Sequence, residues 1–134
     1  MADTLRAWSA NADSTGVGFA VSPLGGDDLI GHVAFYGVNP VIRAATLGVM
    51  LGPDHVGLGY GADAVSTIVR YGFLEFGLNR IDLSVWAFNT RAIRTYEKTG
   101  FTREGRRRET VFHDGEFHDE ILMSILAREW RDRS

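Results

Sequence analysis

Gly57, Gly59 and Gly61 alternate in Val56-Gly57-Leu58-Gly59-Tyr60-Gly61, a turn that runs directly into an amphipathic segment. Such a turn presents successive backbone N–H groups at the positive end of a helix dipole, where they can hold a phosphate or diphosphate. Taken alone, a glycine turn is more often a tight bend or a close packing contact. This one has neither the lysine of a nucleoside-triphosphate loop nor an acidic residue at the spacing a dinucleotide ribose requires. Asp63 would repel a diphosphate if it faced the turn, so it is expected to point outward. A second segment, Asn89 to Phe101, reads as a short capped helix that carries one phenol, Tyr96. One part suits an anionic carrier and the other places a hydroxyl.

The elements that must position these residues follow from periodicity and punctuation. Gly16 to Val21 and Leu29 to Tyr36 read as an antiparallel pair around Gly25-Gly26-Asp27-Asp28, and Asn39-Pro40 then breaks the chain. Ala44 to Leu51 is β-compatible and stops at Gly52-Pro53. From Tyr60 the period changes: Val65, Ile68, Val69, Gly72 and Phe76 recur at helical spacing and Gly77 stands where a cap belongs, giving a helix over Tyr60 to Phe76. Ile81 to Phe88 is a strand with Ile81, Leu83 and Val85 on one face. A helix from Thr90 to Thr99 starts at Asn89 or Thr90 and ends at Gly100. Two extended runs, Thr102 to Phe112 and Phe117 to Leu126, meet at Asp114-Gly115, a strong hairpin signal. Met1 to Thr15 shows little periodicity. The order predicts a mixed α/β fold, a mostly antiparallel twisted sheet with helices packed on it.

Composition bounds the reading. A chain of 134 residues, 45% hydrophobic and 23% charged, fits one domain spanning 1–134 with a real core. The absence of cysteine excludes disulfides, thiolate metal sites and a cysteine nucleophile. Met1 to Ala20 lacks the pattern of a secretory signal and no stretch is long enough to span a bilayer, so a cytoplasmic location is expected and no membrane partner. A net charge of −3 argues against a polyanion binder. Arg103, Arg106, Arg107 and Arg108 are interrupted by Glu104 and Glu109 and read as a solvated strand face, not a nucleic-acid patch. His113 and His118 flank the hairpin turn beside Asp114, Asp119 and Glu120, but polar hairpin tips are ordinarily just solvated, and no metal is expected.

Three quoted runs carry a family resemblance: Thr46-Leu47-Gly48-Val49-Met50-Leu51-Gly52-Pro53, Gly57-Leu58-Gly59-Tyr60-Gly61-Ala62-Asp63-Ala64, and Asn89-Thr90-Arg91-Ala92-Ile93 continuing through Tyr96-Glu97-Lys98 to Gly100-Phe101. Over roughly Leu29 to Leu126 the chain resembles the GCN5-related N-acetyltransferases, in particular the branch that includes the ribosomal-protein N-terminal acetyltransferases. The resemblance implies acetyl-coenzyme A as co-substrate and a primary amine, either a protein or peptide N-terminus or a small amine, as acceptor. By position, Val56, Gly57, Leu58, Gly59, Tyr60 and Gly61 would bind the diphosphate. Val49, Met50 and Leu51 would face the pantetheine arm, and Asn89 would bond that arm from the other side. It also implies direct transfer within a ternary complex, without a covalent enzyme intermediate.

Tyr96 is then the residue expected to carry chemistry. When an amine attacks a thioester, charge develops first on the carbonyl oxygen and then on the departing sulfur. A backbone N–H near Met50 can stabilise the first charge. A phenol, with a reference pKa of about 10 against about 8.5 for a thiol, can hydrogen-bond or protonate the second. The alternative for Tyr96 is a core tyrosine on a helix face.

The sequence departs from the family pattern in three places. Val56 stands where relatives often have Gln or Arg, which removes one side-chain contact to the diphosphate. The strand before the tyrosine helix offers Asp82 and Ser84 where some relatives have a glutamate base, so no base is named. Glu120, His32, His113 and His118 are the remaining choices. An α-amine, with a pKa of roughly 8 against about 10.4 for lysine, arrives neutral more readily and needs a base less. Finally, the family's first strand and two helices are expected to be missing, which leads to the expectation of a homodimer whose partner covers the exposed sheet. A non-catalytic acyl-coenzyme A-binding or regulatory module of the same fold is the alternative reading.

Overall fold

The computed structural model describes residues 5–13, 16–21, 31–51 and 60–133, and the side chains of 33–48 and 64–132. Its elements in chain order are β1 (Leu5–Asp13), β2 (Gly16–Val21), β3 (Gly31–Asn39), β4 (Ala44–Leu51), α1 (Tyr60–Leu74), β5 (Arg80–Trp86), α2 (Thr90–Lys98), β6 (Thr102–His113), β7 (Glu116–Leu126) and α3 (Ala127–Arg133). The strands form one sheet in the order β1-β2-β3-β4-β5-β7-β6. Every neighbouring pair is antiparallel except β4 and β5. This is the mixed, mostly antiparallel architecture expected from the order of elements.

Alternation along the strands decides which face is dry. Val33 and Phe35 of β3, Ala45 and Leu47 of β4, Ile81, Leu83 and Val85 of β5, and Ile121, Met123 and Ile125 of β7 are all buried. Register places Ile81 beside Ala45 on one side and Ile125 on the other, so the apolar set is continuous across the sheet. Onto this inner face α1 lays Ala64, Val65, Ile68, Val69 and Phe73, and α2 lays Ile93. The outer face carries the alternate residues, among them Thr46, Arg80, Asp82, Ser84 and Ser124, and no described helix covers it.

Gly72 is set by a close approach. A β-carbon there would lie 2.7 Å from Phe35 Cζ and 3.1 Å from Ile81 Cδ1. Because Phe35 is itself buried, its ring has nowhere to go. Gly72→Ala is therefore expected to destabilise the fold by about 1 kcal/mol or more, overpacking outweighing the gain in helix propensity. Urea unfolding midpoints measure this, and an unchanged midpoint would contradict the contact.

Cap chemistry ends the elements where the sequence indicates. Gly77 (φ 72°) and Gly100 (φ 110°) take left-handed or related conformations after α1 and α2. Asp114 (φ 51°) and Gly115 (φ 78°) form the two-residue turn between β6 and β7. Two elements go beyond the sequence reading. β1 occupies the segment that showed little periodicity; it pairs with β2 from Leu5↔Val21 to Asp13↔Gly16. α3 continues directly from β7, where Glu129 Oε1 accepts the Leu126 N–H at 2.9 Å, half of a capping box. Its Trp130 ring packs 5.4 Å from Phe73.

The outermost strand β6 is irregular. Its register shifts between Arg103 and Gly105 and again between Arg107 and Val111, and Glu109 has φ 52°. The kink is held from β7, where Asp119 accepts the Glu109 N–H at 2.7 Å and Arg106 Nε at 2.6 Å. Those hydrogen bonds, Arg106 first, hold the Asp119 carboxyl below its ordinary range. The basic run lies on the exposed strand β6, and three of its arginines also have acidic partners the sequence did not indicate: Arg106 on Asp119, Arg103 on Glu97 at 3.3 Å and Arg107 on Glu120 at 3.6 Å.

Candidate active site

Among the described residues the sheet has one parallel contact, and it is short. β4 and β5 pair only at Ala44↔Arg80, Ala45↔Ile81 and Thr46↔Asp82. Among the described residues, β4 runs on beyond Thr46 to Leu51 bonded to β3 alone, and β5 runs on to Trp86 bonded to β7 alone. The two strands therefore part into a fork, and each presents a backbone edge that no strand among the described residues satisfies. Such N–H and C=O groups require partners, and an extended amide chain is a natural one. Both helices that follow these strands, α1 and α2, begin beyond their carboxyl ends, where open α/β sheets bind ligands.

The expected residues fall around this fork as follows. Val49, Met50 and Leu51 lie on the free stretch of β4, opposite Val33, His32 and Gly31 of β3. Their side chains, and those of His32, Tyr60 and Asp63, are outside the described set. Tyr60 and Gly61 open α1, whereas Val56, Gly57, Leu58 and Gly59 lie outside the described residues. Asn89 is the N-cap of α2, its Oδ1 accepting the Ala92 N–H at 3.2 Å. That bond leaves the side-chain amide N–H groups for another partner.

Tyr96 sits in the second half of α2, half-buried, its ring edge-on to Phe101 at 5.9 Å and packed against the core. Its backbone is clamped: the Tyr96 carbonyl accepts the Phe101 N–H at 2.9 Å and the Thr99 hydroxyl at 2.8 Å. Burial raises the phenol above its ordinary value of 10.0, so the hydroxyl is a proton donor throughout the physiological range.

Sequence reasoning missed a network on the outer face at the root of the fork. Thr46 Oγ1 donates to Asp82 Oδ1 at 2.7 Å, and Arg80 Nε lies 3.4 Å from the other Asp82 oxygen. Arg80 also forks onto the Glu104 carboxylate, through Nη1 at 3.1 Å and through Nη2. Ser124 Oγ donates to Glu104 at 3.0 Å. Only outward alternation beside the buried Ala45, Ile81 and Ile125 could have indicated these residues, and pairing them needs the register. Asp82 is thus already engaged, Ser84 faces a shallow open depression of about 320 Å³, and Glu120 is engaged by Arg107. His113 and His118 pack with Trp86 and Phe88. Among the described residues no three His, Asp or Glu side chains are placed to hold a metal.

The Arg80 hydrogen bonds, opposed by partial burial and aided by Ser124, lower the Glu104 pKa. A carboxylate with a depressed folded value stabilises the fold above its unfolded value and loses that contribution as pH falls through the folded one. Glu104→Gln should therefore lower the urea midpoint at pH 7, and the gap from the parent should narrow as pH drops below about 4.5. A gap constant with pH would refute the linkage.

Comparison with known proteins is consistent in direction. A family model described as acetyltransferase (GNAT) domain matches residues 1–102. The spermidine N(1)-acetyltransferase of Vibrio cholerae is 32% identical over 107 residues, covering 80% of this chain and 62% of that protein. YdaF of Bacillus subtilis, whose name marks it as a ribosomal N-acetyltransferase by inference, is 29% identical over 102 residues, covering 76% of this chain and 56% of its own. The crystal structure of the Vibrio cholerae spermidine N-acetyltransferase in complex with CoA and spermine superposes with a TM-score of 0.82 at 29% identity, covering 87% of this chain and 69% of that one. The chain spans about three fifths of the length of the curated relatives it matches.

Proposed function

The chain belongs to the GNAT acetyltransferase family, and from that premise we propose that it transfers the acetyl group of acetyl-coenzyme A to a primary amine within a ternary complex. The observation that carries this reading is the fork. Past Thr46, β4 keeps a free row of backbone donors and acceptors, which fits the two amides of a pantetheine arm as an added strand would. When bound, the coenzyme supplies an activated acyl group with a thiolate as leaving group. On this reading the backbone of Val49, Met50 and Leu51 holds the arm and Asn89 contributes its free amide N–H groups. Val56 to Gly61, the last two of which open α1, hold the diphosphate, and the Tyr96 hydroxyl donates toward the departing sulfur.

The acceptor is read as a small amine, supported by the spermidine acetyltransferases among the relatives. A peptide N-terminus is the second reading, favoured by YdaF and by the uncovered outer face. Trp86, which shares the outward alternation of Asp82 and Ser84 on β5 and is 41% exposed, supports a homodimer in which a second copy covers that face. Residues 1–134 are taken as one domain. A cytoplasmic setting is in keeping with the absence, among the described residues, of a helix long and apolar enough to cross a membrane.

A thiol-release assay over small amines and peptides, run beside calorimetric titration with acetyl-coenzyme A, tests the reading. Binding with turnover on at least one amine is expected. Binding without turnover would make the protein a coenzyme-binding module, and no binding would leave the glycine turn a bend. Light scattering at micromolar concentration tests the dimer, and a monomer would refute it.

A further inference from the structure

The fork must open at a fixed rung if its free edge is to meet a carrier in a fixed register. Three parallel rungs are a weak hold, because a short ladder frays from its end. One residue of fraying moves the opening by about 3.3 Å along the strand. A misplacement of about 1 Å is enough to cost a reacting centre two orders of magnitude. Something must therefore pin the final rung. It is Thr46↔Asp82, and its two side chains are bonded to each other at 2.7 Å on the outer face. From Asp82 the chain of contacts continues through Arg80 to Glu104 on β6 and Ser124 on β7. Four strands are tied across one face at the level where β4 and β5 separate.

We infer that Thr46 and Asp82 are positioning residues, a polar pin that sets where β4 and β5 part and hence how deep a coenzyme arm enters between them. Neither side chain need touch the carrier. They act through the backbone, by holding the Leu47 to Leu51 edge at constant height relative to α2 and Tyr96. The inference rests on the acetyltransferase reading for its consequence, but the pin itself is a property of the apo protein.

Three variants separate these levels. Thr46→Val keeps the β-branched shape suited to a strand and removes the hydroxyl, Thr46→Ser keeps the hydroxyl, and Asp82→Ala removes the acceptor. Native-state hydrogen exchange should quicken at the amides flanking the last rung in Thr46→Val and Asp82→Ala, and stay at the parent rate in Thr46→Ser. In the same two variants the Kd for coenzyme A should rise about five- to tenfold, the scale of one lost hydrogen bond. Turnover should fall by more than the KM for acetyl-coenzyme A rises, with Thr46→Ser restoring both. Unchanged exchange and unchanged affinity in Thr46→Val would overturn the inference. A parent protein that binds no coenzyme A would overturn the acetyltransferase reading, while the exchange pattern would still decide whether the pin exists.

Discussion

Replacing Tyr96 with phenylalanine is expected to lower kcat by about a hundredfold or more, the usual scale for a lost proton donor, while the KM for acetyl-coenzyme A stays within about twofold. The asymmetry follows from where the ring sits. Its packing against Phe101 and the core, and the clamp of Thr99 and Phe101 on its carbonyl, do not involve the hydroxyl. Phenylalanine keeps all of them, so fold and coenzyme grip survive. What is lost is a single O–H that burial holds protonated to a pH above the ordinary 10.0. The sign is plain: a raised phenol pKa preserves the donor as pH rises, so the parent should show no Tyr96-dependent loss of turnover below about pH 10. Single-turnover and steady-state rates on the best amine of the panel decide the matter. Equal kcat in parent and variant would return Tyr96 to the role of a core tyrosine.

Ile81→Ala should cost about 2–5 kcal/mol, the range for emptying a site in a packed core. Ile81 is 0% exposed at the centre of the sheet, between Ala45 and Ile125, with Gly72 of α1 above it. It is flanked by β4 across the parallel pairing and by β7 across the antiparallel one, so neighbours cannot collapse into the void without moving β5. Ile81→Val should lose only about 0.5–1.5 kcal/mol. Equilibrium urea unfolding of the two variants gives both figures, and a loss under about 1 kcal/mol for the alanine would mean that the site relaxes.

Local signals made much of this legible. Asn89 and Gly100 bracket α2 because cap chemistry is written within a few residues of the element it ends. Asp114-Gly115 fixed the last hairpin for the same reason, and the i, i+2 run of Ile81, Leu83 and Val85 gave the dry face of β5. β1 was not legible, because an edge strand is defined by its pairing with β2 and its own pattern is mixed. The Thr46, Asp82, Arg80 and Glu104 network was hidden likewise. With Ser124 its members come from four strands, and only the register brings them together. Gly72 read as one more apolar helix position, although what it supplies is room for Phe35.

The kinked margin of β6 has a bearing on how copies of the protein meet. A strand that shifts register twice, turns Glu109 into a left-handed conformation and spends Asp119 on holding that bend offers no uninterrupted row of amides to a newcomer. Sheet-to-sheet lengthening, the route by which naked borders seed ribbons and fibrils, is closed on that side. Self-association there has to proceed through side chains meeting face to face.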